Sequence, residues 1–288
     1  MVRKFDLTTS ELDWIKDKKV GLVLSGGGGH GFAEIGVIKV LEDNGIIPIA
    51  IAGCSVGSLV GTCFAAGKSI RILEEEFTTL NPFLLVDFTV RGLGFLKGER
   101  LINHVLSIVE VKKFSDLKIP FAVIATNINN GKVRAFSKGK LKPVLGASIA
   151  VPGVFAPRKI GSQYYVDGGL YSPLPIEFLP KELDVFIVVD VSERWAIITS
   201  TSSAFHVLQN SIRIMTHGLA KRTLDQTTKD KRVILIEPPV QRYSFFDIRG
   251  KHIKEMIKIG EQSAKKALKL GIQRFKRAER RAESQKAL

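Results

Sequence analysis

Short, unbroken apolar runs recur along this chain. KKVGLVLSG, IIPIAIAG, DVFIVVDVS and RVILIEP are the clearest. Runs of this length, rich in Val and Ile and lacking alternation, mark strands covered on both faces, as in a parallel sheet. Between them the period lengthens to that of helices. In GFAEIGVIKVLEDNG, Ile35, Ile38 and Leu41 or Glu42 mark successive turns and Gly45 stops the helix. SIRILEEEF, GERLINHVLSIV and the stretch from about Ala204 to Asp225 also read as helical. PFAVIATNINNGKVRAFS reads as a hairpin turning at Asn130-Gly131, and QYYVDGGLYSPLPI as a strand that ends in a tight loop. The last helix carries an apolar stripe at Ile253, Met256, Ile257, Ala264, Ala267, Leu268 and Phe275. Gly260 and Gly271 fall on that stripe, which is expected to pack on the sheet. Strands alternating with helices predict a mainly parallel sheet with helices on both faces, an α/β fold.

One stretch tests this reading. From Asn44 to Gly67 there is no charged side chain, long enough to span a bilayer. Pro48 and five glycines interrupt it, and its character changes midway from Ile-rich to small and apolar. It reads as strand, tight turn and buried helix. With 288 residues, 45% hydrophobic, and no repeat or long linker, the chain is expected to be a single domain over 1–288. The N-terminal MVRKFDLTTSELDWIKDKK is too charged for a signal peptide. Two cysteines, Cys54 and Cys63, are too few for a disulfide framework and point to a reducing, cytoplasmic compartment.

Charge adds a question about partners. The formal net charge is +15, and residues 251–288 hold twelve Lys/Arg against four Glu. Such an excess fits an anionic partner, and an anionic membrane surface is the one considered for Lys265, Lys266 and Lys269. A solvated helix face is the plainer reading. No nucleic-acid-binding motif accompanies the charge and aromatics do not interleave with it, so no nucleic acid is expected.

Three segments carry candidate chemistry. In SGGGGHG, Gly26, Gly28 and Gly31 fit G-x-G-x-x-G between a strand and a helix. A dinucleotide site would need an acid at the end of the second strand, yet no Asp or Glu lies between Asp43 and Glu74. What remains is a run of backbone N–H groups at a helix N-terminus, suited to an oxyanion. IAGCSVGSLVG contains G-x-S-x-G, with Ser55 between Gly53 and Gly57. That spacing permits a sharp strand-to-helix turn with the hydroxyl exposed above the helix N-terminus. His206, His217 and His252 follow in the chain order of a Ser–Asp–His triad, but each falls in a helical segment and the elbow follows only the second strand. VDGGL places Asp167 before Gly168 and Gly169 at a strand's C-terminal end, where open parallel sheets hold their active sites.

In this order, Gly26–Gly31, Gly53–Gly57 and Asp167–Gly169 resemble the patatin-like phospholipases, over about residues 20–180. The segment GASIAVPGVFAPRKIGSQYYVDGGLYSPLPI looks like that family too. The resemblance implies a three-layer α/β/α sandwich and a serine acyl hydrolase acting on lipid or other acyl esters. Ser55 would be the nucleophile, Asp167 the general base, and Gly27, Gly28 and Gly29 the oxyanion hole, with no cofactor and no metal. A water-soluble carboxylesterase or thioesterase with the same dyad, or a regulatory protein that only keeps the fold, are the alternatives. His30 stands where the family has Arg or Lys. The oxyanion would then rest on backbone groups alone, and arginine at position 30 is expected to be tolerated.

Overall fold

The apolar runs become neighbouring strands of one eight-stranded sheet. The computed structural model describes residues 6–79, 86–87, 94–192, 197–200 and 203–286, so part of the N-terminal stretch read above (1–5) lies outside the described residues. The strands are β1 (Val20–Leu24), β2 (Ala50–Cys54), β3 (Phe121–Asn127), β4 (Val133–Phe136), β5 (Arg158–Ile160), β6 (Gln163–Asp167), β7 (Val185–Val189) and β8 (Val233–Ile236). Their order is β5-β6-β3-β2-β1-β7-β8, with β4 on the other edge of β3. The five central strands are parallel, while β4, β5 and β6 form antiparallel pairs. The helices are α1 (Thr9–Lys16), α2 (Phe32–Asp43), α3 (Val56–Ala65), α4 (Arg71–Thr79), α5 (Glu99–Val109), α6 (Leu141–Ser148), α7 (Ala204–Asp230) and α8 (Gly250–Lys286). The expected α/β/α sandwich is what forms, and none of the helices among the described residues is long and apolar enough to cross a membrane.

The two faces are covered unequally. Leu22, Leu24, Ile51, Val185 and Ile187 share a large core with α2, α3, α5, α6 and α8. Val23, Ala52, Phe186 and Val188, on the opposite face, meet the irregular segment 174–183 and Ala220 of α7. Because successive strand residues point to opposite faces, both sets must be apolar, which is why the runs show no alternation.

Strand β3 is longer than its neighbour β2, and this sets up the site. Along one edge β3 pairs with β4. Along the other it pairs with β2 over 121–124, then with β6 over 125–127. The C-terminal ends of β2 and β6 therefore meet head to head. Asp167 reaches the site because β6 is reversed, which corrects the expectation that it ends a parallel strand beside the others.

The apolar stripe of α8 is buried as expected, but its first half packs on α2 rather than on the sheet. A Cβ on Gly260 would collide with the Ala33 carbonyl, and one on Gly36 with that of Ile257. The two helices thus cross backbone to backbone, which only glycine permits. Farther along, Gly271 lies against Ile234 of β8. The unforeseen α1 starts in a capping box of Thr8 and Glu11. Several α8 cations are engaged by this N-terminal region: Lys265 pairs with Asp6 at 3.4 Å, Lys269 donates to the Asp6 carbonyl, and Lys276 binds Ser10.

Candidate active site

Ser55 sits between β2 and α3 with φ 51° and ψ −130°, a positive-φ conformation that costs a non-glycine residue roughly 1–3 kcal/mol. Its surroundings hold it there. The Ser55 N–H donates to Ser148 Oγ at 3.0 Å, and Ser148 Oγ donates to the Ile124 carbonyl at 2.7 Å. Ser58 Oγ donates to the Ser55 carbonyl at 2.6 Å. Sequence reasoning misses Ser148, because a serine in a small-residue helix carries no signal of its own. Gly53 and Gly57 approach backbone to backbone across the turn, and Gly31 lies against Val56. Gly26 faces the Ser55 side chain, where any Cβ would crowd Ser55 Cβ.

Asp167 is buried like Ser55, and the serine hydroxyl lies close enough to favour its ionised form. The Gly169 N–H donates to Asp167 Oδ1 at 2.8 Å, and the Asp167 N–H to the Ala150 carbonyl at 3.0 Å. Gly168 packs on the Ile124 carbonyl. Burial raises the Asp167 carboxyl to about 6, against the opposing hydrogen bonds from Ser55 and Gly169. Such a group is ionised at neutral pH and close enough to neutrality to accept and return a proton. Burial also pushes the Cys54 thiol well up, helped by the nearby Asp167 charge, so this thiol beside the serine is inert. Glu34 of α2 is fully buried behind the glycine loop, and that burial pushes its carboxyl well above the usual carboxylate range.

The glycine loop follows β1 and turns into α2 through a short 3-10 segment, Gly28–Gly31. Gly28 has φ +55°. Among the described residues the N–H groups of Gly27 and Gly28 have no protein acceptor, whereas that of Gly29 donates to the Phe245 carbonyl at 2.7 Å. Gly29 is thereby engaged by a segment that the sequence leaves unassigned, the loop 238–249. That loop lies over the glycines: Gly28 touches Phe245, and Gly29 touches the Asp247 backbone. Asp247 is itself held by Arg249 and by His252 Nδ1 at 2.7 Å, and the Arg249 hydrogen bond is the main reason its carboxyl lies well below the usual range.

His30 belongs to this clamp and not to the solvent side of the loop. It is fully buried, and its Nε2 donates to the Tyr243 carbonyl at 2.8 Å. An arginine there would bury a charge with one carbonyl to meet it, so the expected tolerance of arginine does not hold. Alanine at position 30 strands that acceptor, and is expected to lower the unfolding free energy by about 1–3 kcal/mol in a denaturant titration. Of the other histidines, His252 is committed to Asp247 and His217 lies over the β8 edge. His206 lines the same cleft as Ser55 and Asp167, but no hydrogen bond joins it to either among the described residues.

Two cavities open onto Ser55 from different sides. One, of about 330 Å³, is almost wholly apolar and runs among α2, α3, α4 and α5, lined by Ile35, Leu59, Val60, Leu73 and Val105. The other, of about 530 Å³, contains Asp167, Gly27, Ser192, Gln209, Arg213 and Thr216. Ser55, Val151, Phe245 and Phe246 line both. A hydroxyl and a carboxylate close together, free N–H groups alongside, an apolar chamber on one side and a mixed chamber, with Phe205 and Ile212 beside Gln209 and Thr216, on the other suit attack on an ester that has one greasy and one more polar half.

A family model described as patatin-like phospholipase matches residues 22–180. The "Uncharacterized NTE family protein Rv1063c" of Mycobacterium tuberculosis (strain ATCC 25618 / H37Rv) is 36% identical over 160 residues, covering 55% of this chain and 44% of that protein. The "Lysophospholipase NTE1" of Cryptococcus neoformans var. neoformans serotype D (strain JEC21 / ATCC MYA-565) is 27% identical over 284 residues, covering 88% of this chain and 17% of that protein. The chain thus spans less than half the length of these curated relatives. In fold it is similar to VipD from Legionella pneumophila, with a TM-score of 0.56, 16% identity and coverage of 87% and 67% of the two chains.

Proposed function

The chain belongs to the patatin-like phospholipase family, and from that premise we propose that it hydrolyses acyl esters of lipids through a Ser55–Asp167 dyad. The observation that carries this reading is the position of Ser55, close to Asp167 and at the meeting point of an apolar and a mixed cavity. Asp167 takes the proton from Ser55 Oγ as the oxygen attacks the ester carbonyl. The resulting oxyanion is held by the N–H groups of Gly27 and Gly28, with the positive end of α3 beneath. The tetrahedral intermediate collapses, the C–O bond to the leaving alcohol breaks, and Asp167 returns its proton to that alcohol. The acyl chain stays in the apolar cavity as an ester of Ser55, and the alcohol leaves through the mixed one that holds Asp167. Water then attacks, Asp167 takes its proton and passes it back to Ser55, and the free acid departs. The same steps serve a phospholipid, a lysophospholipid or a simpler ester.

The test is hydrolysis of phospholipid, lysophospholipid and p-nitrophenyl esters of increasing chain length. Long acyl chains should be cleaved best, because only they fill the apolar cavity. Preference for the shortest, most soluble esters would favour a general esterase, and no hydrolysis of any would overturn the proposal. Val105→Phe should sharpen the result. Val105 belongs to α5, outside the elements that carry the dyad, and a larger side chain there shortens the cavity. Long-chain rates are expected to fall by roughly tenfold, with short-chain rates little changed.

A further inference from the structure

Helix α7 leaves large apolar side chains in solvent. Of its 27 residues only Asn210 and Ala220 are buried. Gln209, Arg213 and Thr216, at helical spacing, turn inward and line the cavity of about 530 Å³ together with Phe205 and Ile212. The opposite side exposes Val207, Leu208, Ile214 and Met215, the last two at 52% and 69%. A surface helix in water places its polar stripe outward. Here the cleft side is mixed, and the solvent side carries large apolar residues where a polar stripe is expected. At the mouth of the cleft Ile197 is 91% and Phe246 60% exposed.

Charge identifies what this face meets. From Ala204 to Leu224 the helix has no Asp or Glu, while Lys221 and Arg222 are positive and exposed. An exposed apolar face without acids and flanked by cations is the composition of a segment that lies in a lipid interface and is drawn to anionic head groups. We infer that the outer face of α7, with Ile197 and Phe246, docks on the surface of an anionic phospholipid bilayer, so that the cleft to Ser55 opens against the membrane. This inference rests on the acyl-lipid reading of the same site. It moves the membrane contact away from the basic face of α8, whose Lys265, Lys269 and Lys276 are partly engaged with the N-terminal region.

The experiment is co-sedimentation with vesicles of phosphatidylcholine, alone or mixed with phosphatidylglycerol, with hydrolysis of a soluble short-chain ester as the measure of intact folding. Wild type and Ser55→Ala should bind the mixed vesicles alike, which separates docking from catalysis. Leu208→Asp/Met215→Asp should weaken binding on the order of a hundredfold while leaving hydrolysis of the soluble ester unchanged. Lys265→Glu/Lys266→Glu/Lys269→Glu should bind nearly as wild type does. Vesicle binding by the Leu208→Asp/Met215→Asp protein equal to wild type would overturn the inference. So would its loss only in the triple lysine variant, or no binding by wild type to either vesicle. A wild-type dimer that light scattering finds monomeric in Leu208→Asp/Met215→Asp would assign this face to a second copy of the chain instead. Wild type that binds vesicles but cleaves no ester would leave docking standing and remove the hydrolase reading.

Discussion

Alanine at position 55 is expected to reduce ester hydrolysis on the order of 10⁴- to 10⁶-fold and to abolish covalent labelling by a fluorophosphonate. The effect is large because no other side chain among the described residues is placed to take over. Cys54, the adjacent nucleophile type, is buried and its thiol is held protonated. Loss of activity could also follow from misfolding, and the backbone at this position provides the control. Ser55 is held at a positive φ, where glycine relaxes strain. Ser55→Gly should therefore be at least as stable as wild type and equally inactive. Two inactive proteins, one of them more stable than wild type, would fix the loss on the hydroxyl. Hydrolysis within tenfold of wild type in either variant would remove Ser55 as the nucleophile.

Asparagine at position 167 should act in opposite directions on rate and stability. It cannot accept the serine proton, so the rate is expected to fall by roughly 10³- to 10⁴-fold. In wild type the rate should rise with pH through about 6 and then level off, following ionisation of the Asp167 carboxyl. Stability runs the other way. Burial makes this carboxyl harder to ionise in the folded chain than in the unfolded one, so the folded state binds its proton more tightly. Unfolding releases that proton, and wild-type stability falls as pH rises from about 4 to about 6. The amide of the Asp167→Asn protein carries no such charge and can still accept from the Gly169 N–H. At pH 8 this variant should be more stable than wild type by about 3 kcal/mol, an advantage that shrinks to nothing below about pH 4. Denaturant titrations at three pH values would measure it. Equal stability of the two proteins at pH 8, or a wild-type rate independent of pH between 5 and 7, would mean that Asp167 is not the buried ionised base (these pH settings bracket the value of about 6).

Most of the sheet is legible in the chain, for a definite reason. The central strands are covered on both faces, so Leu22, Val23, Ile187 and Val188 must all be apolar and leave an unmistakable run. The turn at Ser55 and the hairpin at Asn130-Gly131 are local features with local residue requirements. Asp167 is legible as an acid at a strand end, yet nothing in QYYVDGG distinguishes a strand that runs parallel to its neighbours from one that returns. Contacts made across long separations leave no trace of this kind. Ser148, which holds the Ser55 backbone, sits 93 residues away from it. Phe245 and Tyr243 act through their carbonyls, and any residue would supply the same oxygen. The face of α7 is illegible because apolar residues fall on both its sides, Phe205 and Ile212 toward the cleft and Leu208 and Met215 toward solvent, so its pattern does not say which side is covered.

The backbone crossing of α2 and α8 has a bearing on how the chain comes into being. A ribosome makes Gly36 early and Gly260 more than two hundred residues later. In the interval, the side of α2 around Gly36 has nothing to rest on, and the glycine loop that opens α2 lacks the segment 238–249 that covers it. Ser55 and Asp167 have both been synthesised well before either partner emerges. The growing chain therefore carries its whole signature while its oxyanion loop is still unsupported. Catalytic competence waits for residues far outside the stretch by which the family is recognised.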